Sequence, residues 1–359
     1  MIKLLLSIVV ILMLCSNANA KKYIKILATG GTIAGKSQSS VDYASGQLNI
    51  AALIAEIPKI QEYTKISWQQ IANIGSQDMS IKIWKALYTA IEDAKKDDDV
   101  LGIVITHGTD TMVDSAFLFD LLFPSGKPLV FVGAMRNADA LSADGPQNLL
   151  DAIHVASSIE AVNRGALIVM NSRIIRARNA YKRHTAALGT FKTSNGSYAG
   201  DLYGDDVNFY HNFSREGENK SIFNVSDIDG IAQVSMMSVY PGLSESYYKN
   251  ALSKINKALV VSGVGNGNFP SFIAKNIKEI VNMGAIIVRS SQVPEGYVSR
   301  NVEINDDQLG TIASLGLSPQ KSRILLGLLL KKNMSNSQIQ KIFECEVPTT
   351  DGSCGIFPN

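Results

Sequence analysis

Short, mostly apolar runs alternate along this chain with longer stretches in which apolar residues recur every three or four positions. The runs are Ile24 to Ala28, Leu101 to Ile105, Leu129 to Val132 and Ala166 to Met170. Each is too short for a helix and offers no polar face, so each reads as a strand buried on both sides in a parallel sheet. Between them, Ile81 to Lys95 and Pro146 to Ile159 have helical periodicity, and the alternation predicts repeated βαβ units. The expected fold is α/β, with a larger N-terminal doubly wound, mostly parallel sheet over residues 21–210. From His211 to Asp229 the sequence turns polar and reads as a linker. A smaller C-terminal α/β domain is expected over 230–359, with strands near Ala258 to Val261 and Ala285 to Val288. A helix is expected to close it, with Ser318 as N-cap, Pro319 in first position and Lys331 and Lys332 in the last turn.

The first twenty residues have a different pattern. Lys3 precedes the apolar run Leu4 to Leu14, and Ala18-Asn19-Ala20 fits a small-residue cleavage site, which together read as an export signal over 1–20. The run falls short of the roughly 20 residues a membrane span needs, and Leu14 before Cys15 does not suit a lipid-modified cysteine. The mature chain is therefore expected to begin at Lys21 and to be periplasmic or secreted. Net charge is +2 over 359 residues, which gives no footprint for nucleic acid or an anionic membrane. Once Cys15 is removed with the leader, Cys345 and Cys354 remain. Their spacing is not that of a zinc or redox motif, and in an oxidising compartment they are expected to pair. His107, His154, His184 and His211 have no paired metal spacing, so no metal is expected on them.

The candidate chemistry lies where the first strands end. Gly30 to Ser37 reads GGTIAGKS and satisfies the Walker A pattern. A phosphate-binding loop, however, needs a helix starting at its Lys-Ser pair, and here SQSSVDYASGQ follows, with no apolar periodicity, and reads as a mobile loop. The strand at Leu101 to Ile105 also runs into THGTDT rather than into a Walker B aspartate. The same segment read as TGGTIAG (Thr29 to Gly35) presents Thr32 on a glycine turn at a strand's C-terminal end, where α/β folds bind ligands. THGTDT (Thr106 to Thr111) offers Thr109 and Asp110 at the same edge. A threonine hydroxyl is a weak nucleophile and needs an activating neighbour; Tyr43, Asp110 and Lys182 are the candidates. Asp110 has a second reading as the cap of a helix starting near Thr111. No GxSxG elbow is present for a Ser-His-Asp hydrolase.

With these motifs in hand, the sequence resembles the bacterial type II asparaginases along essentially the whole mature chain. Besides TGGTIAG and THGTDT, NIGSQDM stands at Asn73 to Met79, GAMR at Gly133 to Arg136, SADGP at Ser142 to Pro146, GVGNGN at Gly263 to Asn268, VRSSQVP at Val288 to Pro294 and SPQK at Ser318 to Lys321. The resemblance implies a cofactor-free hydrolysis of the asparagine side-chain amide, with lesser activity on glutamine. It implies that Thr32 attacks, that Tyr43 helps activate it, and that Thr109, Lys182 and Asp110 form a second triad. Ser76 and Gln77 would bind the α-carboxylate and α-amino ends, and Asp110 and Glu303 the ammonium, with Asn268 in support. Backbone groups around Thr109 and Ala134 would position the amide. Glu303 would come from a neighbouring subunit of a homotetramer. The lysine is matched by position within AYKRHT rather than by a long identical string, and the tail CEVPTTDGSC is an addition to the family pattern. A periplasmic amino-acid-binding protein would share export and two α/β domains, and turnover separates it from an enzyme.

Overall fold

The computed structural model describes residues 22–37, 43–44, 50–55, 57, 60–210, 221–255 and 257–345. The expected signal segment, the loop at 38–42, the first part of the expected linker and the C-terminal tail with Cys354 lie outside the described residues. In chain order the strands are β1 (Tyr23–Gly30), β2 (Lys36–Ser37), β3 (Tyr43–Ala44), β4 (Lys65–Ile74), β5 (Val100–Thr106), β6 (Leu129–Val132), β7 (Ala166–Met170) and β8 (Arg173–Arg176). They continue as β9 (Ala180–Lys182), β10 (Phe191–Thr193), β11 (Gly200–Tyr203), β12 (Asp206–Phe209), β13 (Val234–Ser238), β14 (Ala258–Gly263), β15 (Ile286–Ser291) and β16 (Ile312–Ala313).

Eight of them form the large sheet in the order β12-β11-β8-β7-β6-β5-β1-β4. The five strands from β7 to β4 are parallel to their neighbours, and β6 and β7 coincide with the apolar runs that predicted them. The sheet is thus mostly parallel, as expected, and its antiparallel part lies at one end, where β8, β11 and β12 pair antiparallel. The cause is local: Asn171 and Ser172 both take positive φ, a two-residue hairpin connection that returns the chain beside β7 at once. At the other end β4 was not predicted. Its sequence KISWQQIANI leaves residues on both faces partly exposed, as an edge strand does, and so lacks the continuous apolar signal.

Helices cover both faces. Ser80 caps the helix Ile81–Lys96 by accepting from Ile83 N, and Trp84, Leu87, Ile91 and Ala94 form its buried stripe. The helix Met112–Leu122, which follows the THGTDT turn, is buried along nearly its whole length. The second sheet, β13-β14-β15-β16, is parallel throughout. Along β14 the side chains alternate, with Val260 joining the large core while Leu259 and Val261 join a smaller outer cluster with Tyr248, Ile273 and Ile277.

Ser318 caps the helix Pro319–Leu329 by accepting from Lys321 N. The helix stops short of Lys331 and Lys332, which instead reach Asp229 and Asp227. It is not the last element, since the helix Asn336–Cys345 follows. The second part of the expected linker is folded: Asn224 caps the 3-10 helix Val225–Gln233 through a capping box, and Phe223 and Ile228 are buried in the large core. Among the described residues no helix is long and apolar enough to cross a membrane.

Candidate active site

Three loops meet at the C-terminal ends of the adjacent parallel strands β1, β4 and β5, and glycines allow them to interlock. Gly31 takes φ 88° and ψ −175°, a region essentially closed to residues with a Cβ. A Cβ there would lie 2.5 Å from the backbone of Gly108, and one on Gly30 would lie 2.5 Å from Ile74 N. Gly31 N donates to Ile74 O at 2.8 Å. Gly108 in turn packs on Ser76, whose Oγ would lie 2.8 Å from an added Cβ. Thr32 leaves this junction as the first residue of the 3-10 turn Thr32–Ala34. The loops enclose a cleft of about 680 Å³ lined by Thr32, Ser76, Gln77, Thr109 and Asp110, with Asn73 and Asp78 at its edge. Ser76 is buried and Gln77 exposed, its amide lying over Gly75.

The two hydroxyl-bearing turns differ in what stands behind them. Thr109 is buried, and Lys182 on β9 donates to Thr109 Oγ1 at 2.9 Å and to Asp110 Oδ1 at 2.6 Å. Lys182 is largely shielded, with 17% of its side chain exposed, whereas Asp110 is open to the cleft. Thr111 is the N-cap of the helix Met112–Leu122, with no side-chain cap bond. The reading of Asp110 as a helix cap is therefore corrected, because its carboxylate is turned to the lysine. Thr111 is tied to the neighbouring loop, its hydroxyl donating to Ser76 O at 2.7 Å and its N–H to Ser76 Oγ at 3.4 Å.

Beneath THGTDT lies a buried polar chain that the sequence did not reveal. Trp84 Nε1 donates to Ser115 Oγ at 2.9 Å; Ser115 Oγ lies 2.8 Å from His107 Nε2, and His107 Nδ1 lies 2.7 Å from Gly108 O. Gly108 O can only accept, so Nδ1 carries the proton, and the Ser115 hydroxyl must donate to Nε2. Every member is satisfied with His107 neutral. Burial pushes its pKa down to about 4, against the opposing pull of the Gly108 carbonyl.

Ala134 is fully buried on the loop after β6. Asp144 holds that loop, accepting from Met135 N and Arg136 N, while Asn148 donates to Gly133 O at 3.0 Å. A Cβ on Gly133 would lie 2.5 Å from His107 O and 3.2 Å from Thr109 Cγ2, so this loop backs onto the THGTDT turn. Tyr43 is placed by its backbone, opposite Ser37 in the antiparallel pair β2-β3. With Lys36 and Ser37 in a strand, the helix a phosphate-binding loop requires does not start there.

Asn268 and Glu303 form a second grouping. Asn268 Nδ2 donates to the exposed Glu303 carboxylate, and neither residue lines the cleft of Thr32. Their loops are built on a buried ion pair. Arg289 donates to Asp306 through Nε at 2.9 Å and Nη2 at 2.7 Å, to Ser299 O, and to Asn266 O; both side chains of the pair are essentially sealed from water. Burial raises the Asp306 pKa, but bonds from Arg289 and Thr311 outweigh it and hold the carboxyl below its ordinary range. An arginine directly after the apolar run Ala285 to Val288 was the available sequence signal for this pair. Among the described residues no cluster of His, Cys, Asp and Glu could hold a metal ion. The arrangement around the cleft suits acyl transfer: a hydroxyl at the end of β1 faces the same space as a lysine-linked hydroxyl and a carboxylate.

Two family models match the chain: "Asparaginase, N-terminal" over residues 23–215 and "Glutaminase/Asparaginase C-terminal domain" over residues 233–343. A protein named as a probable periplasmic L-asparaginase of Haemophilus influenzae is 39% identical over 92% of this chain and 94% of its own. A glutaminase-asparaginase of Acinetobacter glutaminasificans is 36% identical over 90% of this chain and 99% of its own. The crystal structure of a probable cytoplasmic L-asparaginase from Campylobacter jejuni superposes with a TM-score of 0.84 at 36% identity, covering 90% of this chain and 99% of that one.

Proposed function

The chain belongs to the asparaginase family, and from that premise we propose that it hydrolyses the side-chain amide of L-asparagine to L-aspartate and ammonia, with lesser activity on L-glutamine. The observation that carries the reading is the Lys182–Thr109–Asp110 group at the cleft that also holds Thr32. In the proposed reaction Thr32 Oγ1 attacks the amide carbon and Tyr43 helps take its proton. Ammonia leaves with that proton, and water then cleaves the acyl ester to regenerate the hydroxyl. Lys182, Thr109 and Asp110 assist proton movement beside the substrate. Ser76 and Gln77 bind the α-carboxylate and α-amino ends, and Asp110 and Glu303 hold the ammonium with Asn268 in support. Backbone groups at Thr109 and Ala134 hold the amide oxygen as charge develops on it. Glutamine differs by one methylene, worth only about 1–3 kcal/mol in a pocket, so it is turned over less well rather than rejected.

We infer also that the working unit is a homotetramer in which Glu303 comes from a neighbouring subunit. The support is that the Asn268–Glu303 pair does not line the cleft of its own chain. Export to the periplasm or medium rests on the pattern of residues 1–20, and the pairing of Cys345 with Cys354 on their being the two cysteines left in an oxidising compartment once the leader is removed. Ammonia release from L-asparagine by the purified protein tests the main reading: catalytic turnover supports it, and stoichiometric binding without release would make the protein an amino-acid receptor instead. Mixed oligomers test the shared site. Coexpressed Thr32→Val and Glu303→Ala chains should regenerate activity that neither has alone, and purified hybrids with no gain would remove the shared-site reading.

A further inference from the structure

Lys182 reaches Thr109 and Asp110 from a weak platform. It ends β9, a three-residue strand whose only sheet partner among the described residues is the three-residue β10, and an isolated two-stranded ribbon of that size does not hold itself in place. Something outside the hairpin must fix it. The structure supplies a second lysine for this, from the other half of the chain. Lys321, in the first turn of the helix Pro319–Leu329, is 4% exposed. Its ammonium donates to Ala180 O at 2.8 Å and to Arg178 O, so two of its three N–H groups grip the backbone that leads into β9. The Ala180 carbonyl is two residues from Lys182, about 7 Å along an extended chain. Tyr181, between them, donates its hydroxyl to Glu295 at 2.8 Å, a further tie from the hairpin to the C-terminal half.

A buried ammonium is costly unless its charge and its donors are met, and an apolar side chain would fill the same space without that cost. The surroundings here are arranged to keep the charge. Its nitrogen lies 5.6 Å from the centre of the Phe117 ring. Asp114, one turn from Thr111 on the same helix as Phe117, also lies close enough to act on it electrostatically. The helix that starts at the THGTDT turn and the strand that carries Lys182 thus converge on one cation.

We propose that Lys321 is a positioning residue for the hydrolysis: by holding the Arg178 and Ala180 carbonyls it sets where β9 stands, and so whether Lys182 meets Thr109 and Asp110. The proposal rests on Lys182 being a catalytic group, and the test separates the two claims. Lys321→Met keeps the length of the stem and removes the donors. Assayed well below its melting temperature, it should lower kcat for L-asparagine about tenfold or more with KM changed less than about threefold, since displacing a reacting group by about 1 Å can cost a hundredfold. In a Lys182→Met background the same change should cost nothing further, because both act through one group. Lys321→Arg, which keeps donors for the two carbonyls, should recover most of kcat. If Lys321→Met does not fold, Lys321→Gln replaces it in the same cycle.

A folded Lys321→Met or Lys321→Gln protein with wild-type kcat, or losses that multiply in the double variant, would overturn the positioning role while leaving Lys182 catalytic. Lys182→Met within about tenfold of wild type would instead overturn the reading of Lys182 itself. A crystal structure of the Lys321→Met protein gives a readout apart from rate. Lys182 Nζ should lie beyond about 3.5 Å from Thr109 Oγ1, and an unmoved 2.9 Å contact would refute the proposal.

Discussion

His107 makes the stability of the fold depend on pH, with a sign and size set by its surroundings. The ring is fully buried and neutral, with its one proton on Nδ1 donated to Gly108 O and its free nitrogen facing the Ser115 hydroxyl. Its pKa is held at about 4 against an ordinary 6.5. Below pH 6.5 the unfolded chain binds a proton that the folded chain refuses, so stability falls as the pH drops through that window and levels off near pH 4. The loss attributable to His107 is about 2 kcal/mol at pH 5 and about 3 kcal/mol at pH 4. Asp114 works in the opposite direction, because burial raises its pKa to about 6 and its cost to the fold fades as the pH falls. The two are separated by comparing the wild type with His107→Gln, in which Asp114 is unchanged. Urea unfolding at fixed protein concentration, followed by tryptophan fluorescence at pH 7.5, 6 and 5, should show the wild type losing about 2 kcal/mol relative to the variant. Parallel curves across that range would refute the neutral, buried histidine.

Two other outcomes follow from the geometry and a third from the sequence. Gly31→Ala places a Cβ 2.5 Å from Gly108 in a backbone region that other residues avoid, so it should cost at least about 2 kcal/mol and lower kcat at least about tenfold; a variant melting with the wild type would show that the junction relaxes freely. Arg289→Met strands the buried Asp306 carboxylate and should cost about 3–5 kcal/mol near neutral pH. Without Arg289, burial raises the Asp306 pKa above its ordinary range, so part of that cost should disappear as the pH falls and the stranded carboxylate protonates; a pH-independent loss would count against the ion pair as its origin. In exported protein, Cys345 and Cys354 should be bonded, and alkylation without reduction should leave the intact mass unchanged; two alkylated thiols would refute the pairing.

The sequence revealed those parts of the fold whose environment is uniform. β6 and β7 are buried on both faces, so their apolar runs have strand length and sharp ends. β4 carries a mixed face at the sheet edge, and β9 and β10 are three residues each, too short for any periodicity to register. The same division holds at the site. Thr32, Ser76, Gln77, Thr109 and Asp110 lie in contiguous motifs at strand ends, and the structure brings all five to one cleft. Lys182 needs a strand that only tertiary contacts define. Lys321 stood inside the SPQK motif, but its grip on Ala180 joins residues 141 positions apart, and no local pattern records that. His107 drew attention as a metal ligand to be excluded, because its partners Ser115 and Trp84 become neighbours only when the helices Ile81–Lys96 and Met112–Leu122 pack together.

Turnover in the proposed reaction depends most on the hydroxyl of Thr32, and Thr32→Val removes it with little change of shape. The variant should fold with a melting temperature close to that of the wild type and still bind L-asparagine, because Ser76, Gln77 and Asp110 are untouched. Ammonia release from saturating L-asparagine is the measurement. The rate should fall at least about a thousandfold, about 4 kcal/mol of lost transition-state stabilisation. A folded Thr32→Val protein that releases ammonia within about tenfold of the wild-type rate would contradict the proposed attack by Thr32.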